Sequence, residues 1–324
     1  MARPFLIDAD FALYNGDAAD VLAELPPASV ECVVTSPPYW RLRDYADERQ
    51  LGLESTPALY VERMVDIFRG VRRVLREDGT VWVNVGDTYV GKELSGIPWR
   101  LALALKDDGW RLRSEIVWSK PNVMPESATD RPTRAHEAVF LFTRGGRYYY
   151  DADAIREAYE ARPQQRLTPT AEQPLGKARA AAGVQNGPQG GEHRSRFEVQ
   201  DAALGVGPDG RRKTTVTGRT GSLQPRDGER WPNPEGRNAR SVWTVACEPY
   251  DGAHFAVMPT ELARRCIVAG CPPGGTVLDP FAGTGTTALA ARGCERRSIG
   301  IELNPAYCRM AAERTRQLTL LAAG

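Results

Sequence analysis

Residues 278–290 read LDPFAGTGTTALA. A short apolar run, Thr276–Leu278, halts at Asp279, and Gly283, Gly285 and Ala288 then follow in the spacing G-x-G-x-x-A before a helical stretch. Glycines at such a strand-to-helix turn let the backbone approach a ligand. The exposed N–H groups and the helix dipole favour an acidic or polar ligand group. The next strand, within RRSIGIEL, ends at Glu302, where a carboxylate can accept hydrogen bonds from ribose hydroxyls. Glycines that merely tighten a turn are the alternative. The motif begins fewer than 50 residues before the last residue, so no complete doubly wound sheet fits after it. The remaining strands must come from the N-terminal region, which makes the order permuted.

That region supplies them. ECVVTS, GTVWVNVGD, SEIVWSK and EAVFLFTR are strand-length runs rich in Val, Ile, Phe or Trp. Apolar residues at helical spacing from Tyr60 to Leu75 predict an amphipathic helix over 57–76, ended near Asp78-Gly79. IPWRLALALKDDGW predicts a second helix, opened by Pro98 and closed at Gly109. Further on, PTELARRCIVAG reads as a helix, and NPAYCRMAAERTRQLTLL as a closing helix with Asn304 as N-cap and Pro305 at N1. Strands alternating with helices indicate an α/β fold with a mostly parallel sheet.

Three regions follow: 1–155, 156–240 and 241–324. The middle one breaks the pattern, with 15 basic against 10 acidic residues, many glycines and no apolar period. A solvated insertion and a nucleic-acid-contacting segment both fit that texture.

The 324 residues carry a net charge of +1, so overall charge selects no partner. No apolar run approaches a membrane span and the N-terminus lacks a signal-peptide pattern, so a cytoplasmic location is expected. The six cysteines form no C-x-x-C, and the three histidines are scattered; reduced thiols and no metal are expected. His136-Glu137 is not a zinc helix, because the fourth position on is Phe140. The pair reads either as polar support beside a site or as packing. Asp130 and Arg131 read as contacts to a base or phosphate, or as an ion pair.

One more stretch is unusual. TSPPYW, residues 35–40, ends a strand on two prolines, which hold the backbone extended and rigid where Tyr39 and Trp40 follow. TSPPYW early and DPFAGTGTT late together resemble the β-class amino-methyltransferases of DNA, which use S-adenosylmethionine and have a Rossmann-like fold. Further blocks match in the same order: LYNGDAADVLAELPPASVECVV, IVWSKPNVMPESATDRPTRAHEAVFLFTRGGRYYYD, RNARSVWTV, HFAVMPTELARRC and SIGIELNPAYC. Only the middle region stays unmatched, and the resemblance implies that it is the target-recognition insertion.

The resemblance implies roles. Asp279, Phe281, Gly283 and Gly285 would line the methionine end of the cofactor, with Thr35 and Thr286 beside them. Glu302 would hold the ribose hydroxyls, Asp17 would meet the adenine amino group, and Phe255 would close the pocket. Asn304 would join the cofactor site or serve only as helix cap. Ser36, Pro37, Pro38 and Tyr39 would hold the target base, Tyr39 by stacking; packing is the alternative for Tyr39 and equally for Trp40. Serine at the first position of that motif associates with cytosine N4, and adenine N6 is the alternative. No Pro-Cys dipeptide occurs, so the cysteine nucleophile of ring-carbon methylation is missing. Double-stranded DNA is the implied partner. A homodimer and a cognate restriction nuclease are compatible with the resemblance and are not read from the residues. Two rivals remain: a catalytically silent DNA-binding protein, and an NAD-dependent oxidoreductase, which would leave TSPPYW without a role.

Overall fold

The computed structural model describes residues 3–44, 47–159, 236–248 and 258–322, with side chains to 316. All of them but Tyr159 belong to one compact unit, residues 1–158 with 235–324. In chain order its elements are β1 (Leu6–Ile7), β2 (Phe11–Asn15), α1 (Ala18–Glu24), β3 (Val30–Thr35), α2 (Pro57–Val74), β4 (Leu75–Val85), a small hairpin of β5 (Tyr89–Val90) and β6 (Glu93–Leu94), α3 (Ile97–Asp107), β7 (Arg111–Ser119), β8 (His136–Thr143), β9 (Val242–Thr244), α4 (Thr260–Gly270), β10 (Thr276–Asp279), α5 (Thr286–Gly293), β11 (Arg297–Glu302) and α6 (Pro305–Ala322).

Nine of the described strands form one sheet in the order β1-β2-β11-β10-β3-β4-β8-β7-β9. The five from β2 to β4 run parallel, and β8 runs antiparallel between β4 and β7. The late strands β10 and β11 therefore sit between the early strands β2 and β3, as the permuted order requires. The central strands β3, β4 and β8 alternate between two cores. Val33, Val81, Val83, Phe140 and Phe142 face the cluster made with α1, α2 and α3, whereas Cys32, Val34, Trp82, Val139 and Leu141 face the one made with α4 and α5. Burial on both faces explains why β3 and β4 are nearly continuous apolar runs.

Helix α2 begins where Thr56 accepts from the Leu59 N–H at 3.3 Å, with Pro57 in its first turn. It buries Tyr60, Met64, Ile67, Phe68 and Val71. It ends at Val74, earlier than the expected stop at Asp78-Gly79. That dipeptide lies in a register shift of β4, where Leu75 pairs with Val30 but Thr80 already pairs with Cys32. Gly79 is needed for close strand approach, since a Cβ there would lie 2.8 Å from the Glu31 carbonyl oxygen.

Each of the six cysteines is a free thiol. Among the described residues no cluster of His, Cys, Asp and Glu could hold a metal ion, and no helix is long and apolar enough to cross a membrane.

Candidate active site

The carboxyl ends of β2, β11, β10 and β3 are neighbours in the sheet. They deliver, in that order, Asp17, Glu302, Asp279 and Ser36 to one pocket. An open α/β sheet binds ligands at this end, where the strand order reverses.

Asp279 is buried, with 6% of its surface exposed. Its Oδ1 accepts from Thr35 Oγ1 at 2.6 Å and from the Phe281 N–H at 3.0 Å, and its Oδ2 accepts from Thr287 Oγ1 at 2.7 Å. Burial raises its carboxyl above the usual range, and the two threonine hydroxyls oppose that rise. Glu302 spans the glycine turn: Oε2 accepts from the Gly283 N–H at 2.8 Å and Oε1 from the Asn304 N–H at 2.7 Å. Burial nonetheless pushes its carboxyl up to about 7.

The turn itself is built for close approach. Gly283 and Gly285 have φ of +52° and +82°. Gly283, Phe281 and Thr286 face the pocket. Gly285 and Thr35 stand behind its wall: Gly285 packs where a Cβ would lie 3.1 Å from the Cβ of Ala311, and Thr35 is spent on Asp279. Asn304 is the helix cap, its Oδ1 accepting from the Ala306 N–H at 2.8 Å, and it also lines the pocket. Asp17 caps α1 by accepting from the Ala19 N–H at 2.8 Å, a role that the sequence reading missed. Phe255 lies outside the described residues; Met258, from the same block, lines the pocket.

At the β3 end, Ser36, Pro37, Pro38 and Tyr39 all line the same pocket. The Pro38 carbonyl accepts from Tyr60 OH at 2.8 Å, fixing the turn to α2. Tyr39 donates to Glu137 Oε2 at 2.6 Å, and its ring packs on Gly86, where a Cβ would lie 2.5 Å from Cε2. Burial and the neighbouring Glu137 hold its phenol well above the ordinary value, so it stays a donor. Trp40 resolves to packing: it is buried, and its Nε1 donates to the Glu54 carbonyl at 2.9 Å.

Three residues extend this cluster, Asn84 from β4, Lys120 from just past the end of β7, and Glu137 from β8. Asn84 Nδ2 lies 2.9 Å from Tyr39 OH and 3.0 Å from Glu137 Oε2, and Lys120 Nζ pairs with Glu137 Oε1. Glu137 is thus polar support for the site, while His136 is exposed. The sequence carried a signal for Glu137 in its place at the start of a buried strand, and none that singled out Asn84 or Lys120. Asp130 and Arg131 are not a pair. Asp130 meets Lys92 at 3.2 Å, and Arg131 binds Glu126 and lies 3.8 Å from the Tyr89 ring centroid.

Residues 30–313 match the family model described as DNA methylase. The chain is 39% identical to the Type II methyltransferase M.Cfr9I of Citrobacter freundii, over 93% of this chain and 86% of that one. Among solved structures it resembles PvuII DNA methyltransferase (cytosine-N4-specific), with a TM-score of 0.63 and 18% identity over 96% of this chain and 88% of that one. It also resembles TTHA0409 of Thermus thermophilus complexed with S-adenosyl-L-methionine, with a TM-score of 0.52 and 24% identity over 93% and 91%. The chain belongs to the DNA methylase family, the S-adenosylmethionine-dependent amino-methyltransferases that act on adenine N6 or cytosine N4.

Proposed function

We propose that this chain methylates the exocyclic N4 amino group of cytosine in duplex DNA. The observation that carries the reading is the shared pocket: the Ser36–Tyr39 turn and the glycine turn meet there, locked by the Thr35–Asp279 hydrogen bond.

The donor set fits S-adenosylmethionine. Asp17, Asp279 and Glu302 place three carboxyl groups around a pocket that also has apolar walls at Phe281, Ile301 and Leu51, suiting a ligand with a cationic sulfonium, an ammonium and an adenine ring. Glu302 would hold the ribose hydroxyls, Asp17 the adenine amino group, and the Asp279–Thr286 turn the methionine end. Bound there, the cofactor supplies an electrophilic methyl group.

The protein must supply the nucleophile's geometry. The lone pair of an exocyclic amino group is delocalised into the ring. Ser36 Oγ and the Pro37 carbonyl would accept its two N–H bonds and draw the nitrogen toward tetrahedral geometry, freeing that pair. Pro37 and Pro38 hold the carbonyl in place. The base must leave the helix, at a cost of a few kcal/mol, and Tyr39 would stack on it. Residues 156–240, between the catalytic half (1–155) and the cofactor half (241–324), would recognise the target; those from 160 to 235 lie outside the described residues. Serine at position 36 favours cytosine through the family association. A homodimer and a cognate nuclease, as in a restriction system, are compatible with the reading.

The test is transfer of labelled methyl to duplex DNA, with Ser36→Ala and Tyr39→Ala as variants. Label should enter DNA, and both variants should lose turnover at least a hundredfold while keeping cofactor affinity. Label entering only RNA or protein would overturn the substrate. Equal loss of cofactor binding would mean that the site is elsewhere.

A further inference from the structure

The hydrogen bonds that begin at Ser36 end on a carboxylate that the mechanism above does not use. Tyr39 OH lies 3.3 Å from Ser36 Oγ and 2.6 Å from Glu137 Oε2. A carboxylate paired with an ammonium group is acceptor-only, so the single Tyr39 proton points to Glu137. Asn84 Nδ2 lies within reach of the same three oxygens, Ser36 Oγ at 3.4 Å, and as an NH₂ donor it is compatible with that polarity. The Tyr39 oxygen is then left as an acceptor, and the hydroxyl hydrogen of Ser36 turns to it. Lone pairs of Ser36 consequently face the pocket. Lys120 holds the far oxygen of Glu137 and lies 4.2 Å from the Trp118 ring centroid, which fixes the carboxylate in turn.

We propose that Glu137 is a positioning residue: acting through Tyr39, it sets the direction of the hydroxyl chain so that Ser36 meets the target amino group as a hydrogen-bond acceptor. The proposal rests on the amino-methyltransferase reading and adds a determinant to it. Without the carboxylate, Tyr39 could donate to Ser36, whose own proton would then oppose the N–H it must receive. A glutamine at 137 does this, since Lys120 would claim its one oxygen and leave its NH₂ facing Tyr39.

Single-turnover methyl transfer to duplex DNA by the full chain tests the idea. Glu137→Gln should slow transfer at least tenfold while the cofactor Kd stays within twofold. Tyr39→Phe should slow it comparably, and the double variant should be no slower than the worse single one, because both break one chain. An unchanged rate in Glu137→Gln, losses that multiply in the double variant, or a cofactor Kd that weakens in step with the rate would each overturn the proposal. Should Glu137→Gln fail to fold, Tyr39→Phe added to Ser36→Ala should cost nothing further, and a full additional loss would refute the chain. A parent protein that methylates no DNA would instead remove the functional reading, and this inference with it.

Discussion

Thr35 Oγ1 donates to Asp279 Oδ1 at 2.6 Å, joining two strand ends that are 244 residues apart in the chain. The bond holds the base-binding turn against the cofactor turn, and it supplies one of three donors to a buried carboxyl. Thr35→Val keeps the shape and removes the donor. It should cost about 1–3 kcal/mol of stability, the usual penalty for an unsatisfied buried acceptor. Cofactor affinity should fall about tenfold. Urea unfolding and titration calorimetry measure the two effects.

Glu302 predicts opposite pH trends for stability and binding. Burial raises its carboxyl from 4.5 to about 7 in the folded protein, so folding favours the protonated form. Its contribution to stability is therefore full below about 4.5 and is lost as pH rises through about 7. Glu302→Gln should melt higher than the parent at pH 8, with the gap closing toward pH 5. Ribose hydroxyls need the carboxylate, so parental cofactor affinity should weaken as pH falls below 7, approaching tenfold per unit. The variant should bind more weakly at pH 8 and lose this dependence. Melting curves and calorimetry at several pH values check both signs.

Gly86 is a second pressure point on Tyr39. A Cβ there would lie 2.5 Å from Cε2 and 2.9 Å from Cδ2 of the ring. Gly86→Ala should displace Tyr39 and lower kcat at least tenfold, with cofactor affinity within twofold, measured by steady-state methylation and calorimetry.

Glu157 ties together the two ends that bracket residues 160–235. It pairs with Arg237 in an isolated antiparallel bridge, and its side chain accepts from Arg240 Nε at 2.7 Å and Arg237 Nε at 3.2 Å. If the enclosed segment recognises DNA, Glu157→Ala should weaken DNA binding about tenfold and leave cofactor binding intact. Fluorescence anisotropy with duplex DNA reads this out.

Much of this architecture was legible because a parallel sheet covered on both faces writes itself as apolar runs. ECVVTS, GTVWVNVGD and EAVFLFTR became β3, β4 and β8 on that basis. The two residues of β1 and the three of β9 are too short to show a period, and α1 spans barely two turns. The site divides in the same way. Asp279, Gly283 and Glu302 have fixed spacing around one turn, and Ser36 to Tyr39 are contiguous, so each group announces itself. Asn84, Glu137 and Lys120, the last just beyond the end of β7, are brought together only by the β4-β8-β7 pairing, and a polar residue at a strand end has no local signature of such a meeting. Arg237 and Arg240, within the basic region 156–240, both reach Glu157, a pairing that composition gives no sign of.

The most direct measurement is the identity of the modified nucleoside. Duplex DNA methylated by the purified protein would be digested to nucleosides and analysed by mass spectrometry. The account predicts N4-methyldeoxycytidine, lost in Ser36→Ala; N6-methyldeoxyadenosine alone would contradict it.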